Sequence, residues 1–154
     1  MKIKIGDELL IEHVRVRIRL DYRGEAKNGR FFFGGKSKEQ MAEAIREQQV
    51  ALLRNLPLQG IQIEDVDLSQ DIYVVSEGDG RRAHEAAFAP IILDLRVENL
   101  DDLLPLLIKP EFRKIEFLSP ETISLHRLDM ERLFFRISQS FLQEIKSVEQ
   151  KYLR

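Results

Sequence analysis

The sequence predicts an α+β fold, with a mixed β-sheet and helices packed mainly on one face. Three observations carry this. Residues 14–23 alternate strictly between apolar and polar, the period of a half-buried strand. Two longer segments repeat apolar residues every three or four positions, the period of an amphipathic helix. Glycine, proline and asparagine punctuate the joins.

The clearest strand runs from Leu9 to Tyr22. Val14, Val16, Ile18, Leu20 and Tyr22 face one way, and Arg15, Arg17, Arg19, Asp21 and Arg23 the other. Asn28-Gly29 then favours a hairpin turn, with 30–33 as the returning strand. Ser37 and Gln40 form a capping box that starts a helix reaching about Asn55. Met41, Ala44, Ile45, Leu52 and Leu53 are its expected apolar stripe, interrupted by Gln48 and Gln49. Strands follow at about 61–66, 72–76, 90–97 and 112–118, with 122–128 as a further candidate. A short leucine-rich helix capped by Asn99 and broken at Pro105 separates two of them.

Asp129 caps the last helix. Met130, Leu133, Phe134, Ile137, Phe141, Ile145, Val148 and Tyr152 form the stripe expected to cover the sheet. Phe135 lies off it and marks a second, oligomeric contact. Strand, helix, strand, strand occurs twice, from about Phe31 and from about Pro90. The whole reads as one domain over 1–154, with two weakly similar halves of about 1–80 and 81–154. The arrangement is loosely ferredoxin-like, with an added N-terminal hairpin and C-terminal helix.

Bulk composition narrows the function classes. A chain of 154 residues can bury one sizeable core. The formal net charge is -2, so attraction to nucleic acid or membrane must come from local patches. The sequence has no cysteine, which removes disulfides, thiolate catalysis and Cys-ligated zinc. No stretch has the length and apolarity of a membrane span or a secretory leader, so a soluble, cytoplasmic protein is expected.

The arginine row is the least ordinary feature. Arg15, Arg17, Arg19 and Arg23 share one strand face. They could grip successive phosphates of a polyanion such as RNA or DNA. The favoured alternative pairs them with acids. Residues 55–80 carry Glu64, Asp65, Asp67, Asp71, Glu77 and Asp79 and no Lys or Arg. A contact with another subunit is the third reading.

The remaining motifs are weaker. Gly34, Gly35, Lys36 and Ser37 end like a phosphate-binding loop, but Arg30 stands where its first glycine belongs. They are at most a weak anion site. Glu64, Asp65, Asp67 and Asp71 lack the spacing of a calcium loop, so no metal is assigned. His84-Glu85 begins like a zinc-protease motif, yet Phe88 replaces the second histidine. An exposed loop histidine is expected there. No cofactor and no convergent catalytic set emerges. The expected function is a non-catalytic interaction or assembly module, homo-oligomeric, with polyanion binding through the arginine strand as the alternative.

Overall fold

The computed structural model describes residues 3–5, 8–10, 13–24, 37–55 and 57–153, the first two stretches by backbone alone. The expected hairpin at Asn28-Gly29, its returning strand at 30–33, and Gly34, Gly35 and Lys36 lie outside these residues.

Two short strands, β1 (Ile3–Ile5) and β2 (Glu8–Leu10), pair antiparallel as a separate ribbon. Among the described residues the main sheet has five strands: β3 (Val14–Gly24), β4 (Ile61–Asp67), β5 (Tyr73–Glu77), β6 (His84–Val97) and β7 (Phe112–Ser119). Its order is β4-β6-β3-β7, with β5 on the first half of β6. Helix α1 (Lys38–Asn55) joins β3 to β4. A 3₁₀ turn (Leu100–Leu103) running into the short α2 (Leu104–Leu107) joins β6 to β7. A long α3 (Arg127–Tyr152) ends the chain.

The fold class is α+β, as the sequence predicts. The sheet is antiparallel throughout rather than mixed. Topology supplies the reason. Each helical crossover skips one strand: β6 fills the gap between β3 and β4, and β3 fills the gap between β6 and β7. The filling strand runs opposite to both neighbours. This is the split βαβ arrangement of a ferredoxin-like sheet, with its second helix shortened to α2. The strands interleave, so β3 finds both its partners in the second half of the chain.

Alternation on β3 does what its period requires. Val14, Val16, Ile18 and Leu20 are fully buried, and they meet Ile91, Leu93, Leu95 and Val97 of β6 in one core. Val50 and Leu53 of α1 cap that core from above, and Leu103 and Leu106 close its end.

Helix α1 starts with the capping box: Gln40 N–H donates to Ser37 Oγ at 3.2 Å, and Ser37 N–H donates to Gln40 Oε1 at 3.0 Å. Its buried stripe is Ala42, Arg46, Val50 and Leu53, not the expected Met41-to-Leu53 set, and Leu52 faces solvent. Arg46 fits because its guanidinium donates to the backbone carbonyls of Gln70 and Pro90. That satisfies a buried cation with polar partners.

Two further expectations change. Residues 122–126 carry no strand, and α3 begins at Arg127 with His126 at its N-cap position. His84 opens β6 rather than sitting in a loop, because β5 pairs with that stretch and extends the strand.

The N-terminal half of α1 approaches the sheet closely because small residues line the contact. Ala42 packs with Ala87 and Ala89. A Cβ on Gly24 would stand 2.3 Å from both the Ala42 amide nitrogen and the Lys38 carbonyl oxygen. Backbone cannot yield as a side chain can. Gly24→Ala should therefore destabilise the fold by about 1–3 kcal/mol or more, lowering Tm by roughly 3–10 °C in a thermal melt.

Candidate interaction surfaces

The uncovered sheet face holds the arginines. Strand alternation sends their side chains away from the core, and cross-strand register brings acids beside them. Arg15 Nε donates to Glu64 Oε1 at 3.0 Å, and Arg96 approaches the same oxygen at 3.6 Å. Arg17 grips Asp94 with two donors, at 2.8 and 3.0 Å, directly across the β3–β6 ladder. Arg19 reaches along its own strand to Asp21 at 2.8 Å. Arg23 pairs with Glu77 at 2.7 Å, and His84 lies 3.3 Å from the same carboxylate.

Each arginine of the row thus has an acidic partner in its own chain. Glu64 and Glu77 come from the acidic segment at 55–80, as the pairing alternative expects. Asp94 and Asp21 do not. Their partnership is set by register, which composition cannot reveal.

Asp21 is the most buried carboxylate of this face, at 2% exposure. Arg19 holds it with two donors, the Tyr73 hydroxyl donates to it, and Arg113 stands 3.7 Å away. Burial raises the Tyr73 hydroxyl pKa, and its bond to Asp21 adds to this. Arg113 also lies over the Phe88 ring, which stacks on Tyr73. A cleft of about 440 Å³ opens here between Asp21, Glu77, Phe88 and Arg113. Both carboxylate oxygens of Asp21 already accept from neighbours, so the group is poorly placed as a base. Tyr22, in the same cleft, has a buried hydroxyl with no hydrogen-bond partner among the described residues, and burial pushes its pKa up to about 12.

The other motifs do not assemble. His84 and Glu85 point to opposite faces of β6, and Glu85 pairs with Lys38. Among the described residues no cluster of three or more metal-ligating side chains forms. Ser37, the one described member of the weak anion motif, spends its hydroxyl on the α1 cap. No helix among the described residues is long and apolar enough to cross a membrane.

Helix α3 departs most from the sequence expectation. Its stripe should cover the sheet, yet none of its 26 residues is buried. It meets the body chiefly at the 3₁₀ turn after β6. There Arg136 donates to the buried Asp101 at 2.6 Å, Arg132 approaches the same carboxylate at 3.6 Å, and Arg132 also reaches Asn99. The sheet needs no further cover, because α1 and the turn into α2 already close the core. Phe134 and Phe135 are each 63% exposed, Phe141 60% and Tyr152 85%. Every side chain from 141 to 152 faces solvent. Phe135 is therefore not alone outside a packed stripe, because most of the stripe is itself exposed, with only Leu133 and Ile137 half-buried.

No protein-family model, no curated protein and no solved structure matches the chain.

The pairing on the open sheet face has a pH signature. The hydrogen bonds from Arg17 hold the Asp94 carboxyl below its usual range. A depressed carboxylate stabilises the fold above its unfolded pKa and loses that contribution as pH falls through the folded value. Asp94→Asn should lower Tm by about 1–3 °C at neutral pH. The gap from wild type should start to narrow near pH 4 and close only once the pH has fallen through the depressed folded value, where both chains carry a neutral side chain. Thermal melts across acid pH check this.

Proposed function

We propose that this chain is a non-catalytic assembly module that associates with further copies of itself through α3. The observation that carries this reading is the long helix whose apolar stripe lies in solvent. Soluble chains seldom leave so much contiguous apolar surface uncovered, and such patches mark interfaces. Phe134, Phe141, Ile145, Val148 and Tyr152 are all exposed and lie within one narrow arc of the helix. Leu128, Phe135 and Leu142 form a second exposed ridge beside it.

Paired arginines weigh in the same direction. A guanidinium already bridged to a carboxylate must break that bridge to hold a phosphate. Polyanion binding through β3 is thus the weaker reading. Two clefts, of about 480 and 440 Å³, bring together no nucleophile, base and oxyanion donor among the described residues, which gives catalysis no specific support either.

Light scattering at micromolar concentration should return a mass above the monomer's 18.0 kDa, falling on dilution. Phe141→Ser should shift the protein to monomer. Phe135→Ser, on the adjoining ridge, should weaken assembly less. Both variants should keep the wild-type Tm measured under monomeric conditions, since neither side chain is buried within its own chain. A wild type that stays at 18.0 kDa up to high concentration would overturn the assembly reading.

A further inference from the structure

We propose that two copies pair through α3 in antiparallel orientation, overlapping over residues 141–152. This rests on the assembly reading above and adds its partner geometry.

The stripe has an internal period. Met130, Phe134 and Ile137 recur eleven residues later as Phe141, Ile145 and Val148, and Tyr152 begins a third repeat. Eleven residues over three turns is about 3.67 per turn, close to the straight helix value of about 3.6. The stripe therefore runs nearly parallel to the helix axis, confined to an arc of roughly 80° at about 100° per residue. Such a seam suits a straight or slightly right-handed helix pair. Met130 to Ile137 lie beside the body, where Arg132 and Arg136 clamp Asp101. Residues 141–152 project from it with every side chain exposed. Two such projections can overlap only if the bodies do not collide, and opposite directions place the bodies at opposite ends.

Charges beside the seam select the orientation. Glu144 and Lys151 flank one side, and Glu149 flanks the other. In a parallel pair one flank meets the opposite flank of the partner, which sets Glu144 beside Glu149 of the partner subunit, twice by symmetry. In an antiparallel pair each flank meets its own kind. The register that stacks Phe141 on Tyr152 of the partner subunit, and Ile145 on Val148 of the partner subunit, sets Glu144 beside Lys151 of the partner subunit. One register thus satisfies apolar and charged positions together.

The test is the dimer dissociation constant of Glu144→Lys, measured by sedimentation at low salt. All the residues altered are exposed, so folding is not at stake. Antiparallel pairing predicts about tenfold weaker association, because two attractive pairs become repulsive. The double variant Glu144→Lys with Lys151→Glu should recover most of the loss. Tighter association by Glu144→Lys would show a parallel pair and overturn the proposal. So would a dissociation constant unchanged by Glu144→Lys, which would place the overlap elsewhere. Wild type that never associates would sink the assembly reading itself, a result distinct from either.

Discussion

The pairing of β3 with β6 is the constraint on which the rest depends. Eleven residue pairs run in unbroken antiparallel register from Val14↔Val97 to Gly24↔Ala87. Side-chain period is two, so this register fixes both faces at once. It sends Val16 and Leu95 into the core and sets Arg17 against Asp94 outside. A slip of one residue would bury arginines and expose valines. The rest of the main sheet and its first helix attach to this ladder: β4 and β5 to β6, β7 to β3, and α1 across both.

From that constraint follows a division of labour between the two sheet faces. The covered face is closed by α1 and by Leu103 and Leu106. The open face is closed electrostatically, acid against arginine. Surface pairs of this kind contribute little stability each, about 0–1 kcal/mol. Their larger effect is on availability, because each arginine of the row is already engaged by an acid. With both faces accounted for, α3 has no sheet surface left to cover. It is tethered at Asp101 and otherwise projects.

Much of this was legible in the sequence. Strict alternation located β3, and Ser37 with Gln40 marked the start of α1 to the residue. The limits of β4, β5 and β7 came within a residue or two, because Gly and Pro punctuate them. What was not legible involved partners distant in the chain. Arg46 looked like a surface helix residue, and only the carbonyls of Gln70 and Pro90 explain its burial. Periodicity on α3 correctly predicted an amphipathic helix, but it cannot say what the apolar face meets. An intramolecular sheet and a second molecule demand the same pattern. The eleven-residue repeat was the available clue, since a helix lying across a twisted sheet has no need of so regular a seam. Likewise, the acidic segment at 55–80 announced partners for the arginines, but only register could name Asp94.

The central claim is that α3 is an interface between copies rather than a bare solvent-exposed helix. Amide hydrogen exchange of residues 141–152, followed from nanomolar to high micromolar protein, tests it most directly. An isolated three-turn projection should fray and exchange fast. If α3 is that interface, these amides exchange fast when dilute and slow progressively with concentration, while those of β3 and β6 stay protected throughout. Exchange of 141–152 that is equally fast at every concentration would contradict it.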